Sequence, residues 1–322
     1  MPQAMTPRRR FLGRVGAAAA GIWAGGRPRV AAAAQARAAD PRVFRADVEL
    51  VTTPVTVTDA AGRLVATLDA TDFVVTEDGL PQPIAHFSRE RVPVSLCLVL
   101  DTSDSMFGQR IVDARAALAE FLDHLLEPED ETALVLFNHR PLVASSWTTD
   151  RSRLHARLDD VTPSGGTAIY DAVKAALPLF DARRHPRAAV VLVSDGADTA
   201  SDTTVVQLRA DLLRSDAFVY AIAIDSSDAR PSARVNPWAL REMTAQSGGS
   251  TEVISTAADL GPATARIADE LNHQYMIGFT RTRKPDGEYH TLRVSVRGGD
   301  YRVRSRRGYV ARKATDASSG GR

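Results

Sequence analysis

The spacing of hydrophobic residues changes twice along this chain of 322 residues. Between residues 43 and 88, apolar and polar residues alternate, as around Val55 and Val57, which is typical of half-buried β-strands. After Pro93, short apolar runs alternate with segments whose apolar residues recur every three or four positions. From Gln274 onward, the strand pattern returns. The pattern predicts strands, then an α/β domain, then further strands.

The middle segment predicts a Rossmann-like, doubly wound α/β domain with a mainly parallel sheet, because apolar runs and helical repeats alternate through it. The predicted strands are Val94–Leu100, Ala133–Phe137, Val143–Trp147, Ala189–Ser194, Ala217–Ile224 and Thr251–Val253. Helical repeats fill the intervals, and the last predicted helix covers residues 258–272.

The strands on either side predict a small flanking β sandwich built from the N-terminal and C-terminal parts of the chain. We assign residues 40–92 and 274–312 to this sandwich, with the α/β domain of residues 93–273 inserted between them. The last predicted strand covers residues 301–309. Residues 313–322 are polar and rich in Ser and Gly, so we expect a disordered tail.

Residues 1–39 differ from the rest of the chain in charge. They contain seven arginines and no acidic residue, so the other 33 basic and 39 acidic residues give the remainder a formal net charge of −6. This mildly acidic balance argues against a nucleic-acid partner, because binding to phosphates depends on excess positive charge.

The N-terminal sequence indicates export. Residues 8–12, Arg-Arg-Arg-Phe-Leu, resemble the twin-arginine export motif, and a weakly apolar stretch and small residues around Ala36–Ala38 follow. We therefore expect residues 1–39 to be a signal peptide of a bacterial protein that reaches the periplasm, is secreted or lies on the cell surface. The sequence predicts no transmembrane segment in the mature chain.

Oxygen-bearing side chains follow the first predicted strand of the α/β domain. Asp101, Ser103 and Ser105 stand there at alternate positions, Thr167 follows two glycines, and Asp195 follows a second apolar run. In open parallel sheets, ligands bind at the carboxyl ends of strands, so these residues can meet in one crevice. Carboxylates and hydroxyls suit a hard divalent cation. The sequence therefore predicts a metal site.

Together, these five residues resemble the metal-ion-dependent adhesion site of von Willebrand factor type A domains. The resemblance implies a bound Mg²⁺, or Mn²⁺ or Ca²⁺, whose coordination is completed by an Asp or Glu side chain of a protein partner. It implies direct ligation by Ser103, Ser105 and Thr167, and direct or water-mediated ligation by Asp101 and Asp195.

The resemblance covers about residues 93–272 and departs from the family at Asp104, where glycine is common. A third acid at this position either strengthens cation binding or repels an acidic partner. More loosely, residues 72–79 and 306–309 resemble the flanks of a bacterial exported architecture that carries a type A domain.

These features predict an exported protein that binds a partner through a divalent cation and is not an enzyme. The alternative is a structural or assembly subunit of a cell-envelope complex with a stabilising metal. A metal-dependent hydrolase is a third interpretation, but an aspartyl nucleophile needs a second acid where this chain has Ser103. The histidines are also scattered singly, and no G-x-S-x-G sequence occurs.

Two further features allow more than one interpretation. Arg302, Arg304 and Arg306 share one face of the last predicted strand, where they either bind an anionic ligand or form the solvated face of an edge strand. Trp147 and Trp238 are expected to pack in the core or at its rim.

Overall fold

The computed structural model describes residues 49–225, 236–281 and 286–311. The signal peptide predicted for residues 1–39 and the tail predicted for residues 313–322 lie outside these ranges. The described residues form fourteen strands and six α-helices. None of these helices is long and apolar enough to cross a membrane.

The strands are β1 (Glu49–Thr58), β2 (Phe73–Glu77), β3 (Leu80–Gln82), β4 (Ile84–Ser88), β5 (Val94–Asp101), β6 (Glu131–Phe137), β7 (Pro141–Thr148), β8 (Arg187–Ser194), β9 (Phe218–Ile224), β10 (Thr251–Ile254), β11 (Tyr275–Arg281), β12 (Tyr289–Val296), β13 (Arg302–Arg304) and β14 (Gly308–Val310). The α-helices are α1 (Gln109–Glu120), α2 (Arg151–Asp159), α3 (Ile169–Ala176), α4 (Val205–Arg214), α5 (Pro237–Ser247) and α6 (Leu260–Asn272).

The central sheet has the strand order β10-β9-β8-β5-β6-β7. Its neighbouring strands are parallel except for β6 and β7, which are antiparallel. Strands β5 and β8 are mostly apolar and buried along their whole length, as strands covered on both faces must be. Helices α1, α2 and α6 contribute to the core on one face, and α3, α4 and α5 to the core on the other. The predicted doubly wound α/β fold is confirmed.

Two antiparallel sheets accompany the central sheet. One has the order β13-β1-β11-β4 and the other β14-β12-β2-β3. Apolar side chains from both sheets, including Val55, Phe73, Ile277 and Leu292, share one core. Strand β1 pairs with β11 and β13, so N-terminal and C-terminal parts of the chain meet in the same sheet.

The single strand predicted for residues 301–309 is wrong. The chain forms two short strands there, β13 and β14, which belong to different sheets. Between them, the Arg307 amide donates to the Gln246 carbonyl at 3.2 Å, and the Leu292 amide donates to the Arg307 carbonyl at 2.8 Å. These bonds hold the chain as it crosses between sheets. The side-chain alternation alone does not reveal the crossing, because both strands keep the same period of two.

The arginine row is not a uniform solvated face. Arg302 is exposed, but Arg304 forms an ion pair with Glu270, and Arg306 donates to the Thr52 carbonyl at 2.8 Å. Two of the three arginines therefore make contacts within the protein.

The two tryptophans differ in burial. Trp147 packs against Phe180 with ring centroids 5.1 Å apart, and its indole N–H donates to the Leu179 carbonyl at 2.6 Å. Trp238 is 66% exposed in the first turn of α5, where it lines a shallow apolar groove with Val206. The expectation of a packed position holds for Trp147 and not for Trp238.

A buried carboxylate joins the α/β domain to the sandwich. Glu270 of α6 accepts hydrogen bonds from the hydroxyls of Thr56 in β1 at 3.0 Å and Tyr220 in β9 at 2.9 Å, and it pairs with Arg304 of β13. Burial, together with the charge of Glu270, raises the pKa of Tyr220. The last helix of the domain is therefore tied to the sandwich by charge and hydrogen bonds.

Replacing Arg304 by methionine is expected to lower the free energy of unfolding by about 2 kcal/mol, because Glu270 loses its cationic partner while it stays buried. Urea denaturation measures the difference. Arg302→Met, on the same strand at an exposed position, is the control and is expected to change stability by less than about 0.5 kcal/mol. Equal effects of the two substitutions would contradict this account of the joint.

Candidate metal centre

Two neighbouring central strands end in the residues that form the site. Asp101 is the last residue of β5, and Asp195 directly follows β8, with which β5 pairs. The chain continues from β5 to α1 and from β8 to α4, which lie on opposite faces of the sheet. A crevice opens where connections diverge in this way. Both carboxylates are buried at this edge.

The connection after β5 folds back onto these carboxylates. The Ser103 amide donates to Asp101 Oδ1 at 2.8 Å, and the Ser103 and Ser105 hydroxyl oxygens lie 3.0 Å apart. The Ser105 hydroxyl donates to Asp195 Oδ1 at 2.6 Å. A short 3₁₀-helix, Asp104–Met106, gives the chain this curvature. Four of the five predicted site residues therefore form one hydrogen-bonded chain.

Thr167 reaches the same edge through its loop. The Asp104 amide donates to the Gly165 carbonyl at 2.9 Å, and the Ser164 amide donates to the Thr102 carbonyl at 2.8 Å. Within the described residues, the Thr167 side chain makes no hydrogen bond to the other four site residues. Its position is set by the backbone and by the Thr199 hydroxyl, which accepts from the Thr167 amide at 3.1 Å. Gly165 has a φ of 78°, and a β-carbon there would lie 2.6 Å from the ring of His139, so only glycine fits.

Two residues that the sequence did not indicate also belong to the cluster. The Ser194 hydroxyl donates to Asp101 Oδ2 at 2.5 Å. Nη1 of Arg110 donates to Asp195 Oδ2 at 2.8 Å and to the Ser105 carbonyl at 2.8 Å. Ser194 precedes Asp195 at a strand end, which is a weak sequence signal. Arg110 gives no signal of its own, because an arginine in the first turn of a helix is usually solvated.

Burial dominates the electrostatics of Asp101. The pKa of its carboxyl is raised to about 7, chiefly by burial and to a smaller extent by the nearby Asp195, while hydrogen bonds from Ser194 and Ser103 oppose the rise. Asp195 has a cationic partner in Arg110. Among the described residues, Asp101 has none: its two oxygens accept only from a neutral amide and a neutral hydroxyl.

The donor set fits a hard divalent cation. It comprises two carboxylates and three neutral hydroxyls, which are the oxygen ligands that Mg²⁺ and Ca²⁺ prefer. In the part of the chain that the structure describes, no group of three or more His, Cys, Asp or Glu side chains is arranged to hold a metal ion. A cation at this edge therefore depends on the hydroxyls as well as on the two carboxylates. The uncompensated charge of Asp101 is the feature that such a cation would satisfy.

Residues 96–197 match the family model of the von Willebrand factor type A domain. This segment includes all five predicted site residues. Among solved structures, the von Willebrand factor type A protein from Catenulispora acidiphila is similar, with a TM-score of 0.50 and 13% identity over 86% of this chain and 77% of that chain. At this identity, the likeness concerns the fold alone.

Two curated relatives match about a third of this chain. An uncharacterized protein of Synechocystis sp. is 28% identical over 115 residues, which are 35% of this chain and 27% of that protein. The minor fimbrium subunit Mfa5 of Porphyromonas gingivalis is 31% identical over 116 residues, which are 34% of this chain and 9% of that protein. The match thus spans about a quarter or less of either relative.

In protein stripped of metal by EDTA, stability is expected to fall as pH rises. The folded state binds the Asp101 proton more tightly than the unfolded state, so the folded state loses its advantage between the unfolded pKa and the folded pKa of about 7. The free energy of unfolding should drop by about 3 kcal/mol between pH 4.5 and 7.5 relative to Asp101→Asn. Urea denaturation at the two pH values measures this.

Asp104→Asn removes an exposed acid from the same loop. This variant should keep the loss of stability with rising pH, because Asp101 is unchanged. Parallel pH dependences for the wild type and Asp101→Asn would contradict the assignment of a costly buried charge to Asp101.

Proposed function

We propose that this protein, whose residues 96–197 match the von Willebrand factor type A family model, binds a protein partner through a divalent cation and catalyses no reaction. The proposed cation-binding residues are Asp101, Ser103, Ser105, Thr167 and Asp195. The observation that carries the proposal is the fully buried carboxylate of Asp101, which lacks a cationic partner among the described residues.

The charges of the cluster favour an acidic ligand. Asp101 and Asp195 contribute two negative charges, Arg110 contributes one positive charge, and the three hydroxyls contribute none. A bound Mg²⁺, Mn²⁺ or Ca²⁺ would supply an electrophilic position for a carboxylate oxygen of the partner. The sum of these charges with a divalent cation is positive, so an Asp or Glu side chain of the partner is attracted.

The hydrogen bonds orient the hydroxyls for this role. The Ser105 hydroxyl donates its hydrogen to Asp195, so it accepts in its 3.0 Å contact with the Ser103 hydroxyl, and one of its two lone pairs stays for a cation. We assign direct ligation to Ser103, Ser105 and Thr167. Asp101 and Asp195 act directly or through water, and they hold the serine segment in place.

An apolar residue stands beside the site. Phe107 is 74% exposed, although it directly follows Met106, which is fully buried. Exposed aromatic side chains of this size are common at the centres of protein interfaces. We propose that Phe107 contacts an apolar part of the partner next to its acidic side chain. Asp104 is exposed in the same loop and disfavours a partner with further negative charge there.

The cellular location in this proposal is outside the cytoplasm. Mfa5, which this chain resembles in its type A segment, is by its name a minor fimbrium subunit. Residues 8–12 supply the proposed twin-arginine export signal. We propose that the protein acts in the periplasm, as a secreted protein or at the cell surface.

An assembly role, in which a cation only stabilises the fold, is the second candidate. Ser105, Thr167 and Asp195 lie in three separate connections of the chain, and a shared cation would link these connections. This arrangement favours the assembly role. In that case Mg²⁺ should raise the melting temperature without changing the binding of any partner.

Isothermal titration calorimetry with Mg²⁺ and Mn²⁺ tests whether the proposed site binds a divalent cation. The wild type should bind, and Thr167→Ala should bind at least about 10-fold more weakly, because one of the proposed hydroxyl ligands is lost. Thr149→Ala, at an exposed turn, is the matched control and should bind as the wild type does. The metal assignment would be wrong if the wild type and Thr167→Ala gave the same titration.

A pull-down from cell-envelope extract tests whether the protein binds a partner in a metal-dependent way. Immobilised wild type should retain a protein in Mg²⁺ that is absent in EDTA and absent with Thr167→Ala. Phe107→Ala should reduce this retention about 10-fold or more while its Mg²⁺ affinity stays unchanged, because the side chain faces the partner and not the cation. Val112→Ala, an exposed apolar residue on α1, is the control. If Mg²⁺ and EDTA gave the same bound proteins, the assembly role would replace the binding role.

A further inference from the structure

We infer that Arg110 competes with the divalent cation for Asp195 and so sets the affinity of the site for its metal. The inference rests on the proposed function, because it concerns the same site. Arg110 is not among the five predicted ligands, and its side chain reaches the cluster from the first turn of α1.

Two hydrogen bonds hold the Arg110 guanidinium against the cluster. Nη1 lies 2.8 Å from Asp195 Oδ2 and 2.8 Å from the carbonyl oxygen of Ser105. The Asp195 side chain is fully buried, whereas 28% of the Arg110 side chain is exposed. Arg110 therefore covers Asp195 from the solvent side, and its long side chain has a route back into water.

The two carboxylates are treated differently. Asp195 accepts from the Ser105 hydroxyl on Oδ1 and from the charged Arg110 on Oδ2. Asp101 accepts only from the neutral Ser103 amide and Ser194 hydroxyl. Arg110 thus neutralises one carboxylate and leaves the other uncompensated. A cation bound beside Asp101 has to share Asp195 with the guanidinium.

Ser105 brings the two positive charges close together. Its hydroxyl is a proposed metal ligand, and its carbonyl accepts from Arg110. Cations on either side of one residue lie within about 6 Å of each other, where Coulomb repulsion at an intermediate dielectric changes affinity by more than about tenfold. This distance is shorter than the screening length of physiological salt, so dissolved ions do not cancel the effect.

The opposite role makes the opposite prediction. If Arg110 instead held Asp195 in the geometry that binds the metal, its removal would lower the affinity of the site for the metal. If Arg110 competes, its removal raises the affinity of the site for the metal, because Asp195 then interacts with the cation through its full charge. The sign of the change in affinity separates the two.

The test is a titration with Mn²⁺ alone, in which electron paramagnetic resonance reports the free ion. Arg110→Gln should bind Mn²⁺ at least about tenfold more tightly than the wild type. Arg110→Lys keeps the charge and should stay within about threefold of the wild type. Arg157→Gln, which removes the same charge from an exposed position on α2, should leave the affinity unchanged. Thermal melts in EDTA check that each variant is folded.

A second measurement uses the wild type alone and does not depend on the folding of a variant. In ¹⁵N side-chain NMR, the guanidinium resonance that Arg110→Lys eliminates is assigned to Arg110. On titration with Mg²⁺ this resonance should shift and sharpen as the guanidinium leaves Asp195.

Two results would overturn the inference: an Arg110→Gln affinity equal to or weaker than that of the wild type, or an Arg110 resonance that saturating Mg²⁺ leaves unchanged. The proposed function would stay intact after either result, provided that the wild type binds the metal and Thr167→Ala does not. If neither the wild type nor Arg110→Gln bound Mn²⁺, both the inference and the proposed metal site would fail. Binding by Arg110→Gln alone would support the competition but would contradict the proposed function, because the wild type would then hold no cation.

Discussion

The burial of the Asp101 carboxylate at the carboxyl end of β5 is the constraint on which the site depends. Strand β5 pairs with β6 on one side and β8 on the other, and its last residue is fully buried. The charged form of the carboxyl is costly there, and two neutral hydrogen-bond donors offset only part of that cost. The cluster therefore requires a positive charge that the described residues supply to Asp195 but not to Asp101.

The rest of the fold keeps this arrangement rigid. Asp101 and Asp195 stand on the two central strands of the sheet, and hydrogen bonds join the segments around residues 101–105 and 164–167 to each other. Glu270 and its partners tie the last helix to the sandwich, on a part of the domain separate from the cluster. A site built from strand ends and cross-linked loops is positioned before any ligand arrives, which lowers the entropic cost of binding.

Local patterns in the sequence predicted the fold class, and similar patterns single out the five proposed ligands. The apolar strands, the alternate oxygen ligands after β5 and the aspartate after β8 are all visible within short windows. Arg110 and Ser194 give no local signal, because their roles depend on contacts with Asp195 and Asp101 across the crevice. The sequence predicts one strand over residues 301–309, because a chain that crosses between two sheets keeps the same alternation of side chains. The exposure of Trp238 is not predictable in this way, because composition does not reveal which face of α5 is left uncovered.

The most direct measurement of the central claim is a crystal structure in Mn²⁺, with anomalous scattering recorded at the manganese edge. One strong anomalous peak is expected within about 2.3 Å of the Ser103, Ser105 and Thr167 hydroxyl oxygens. Crystals that hold saturating Mn²⁺, show no peak there and keep Arg110 on Asp195 would contradict the proposed metal site. The pair would then be a permanent internal ion pair, and the cluster would not be a metal site.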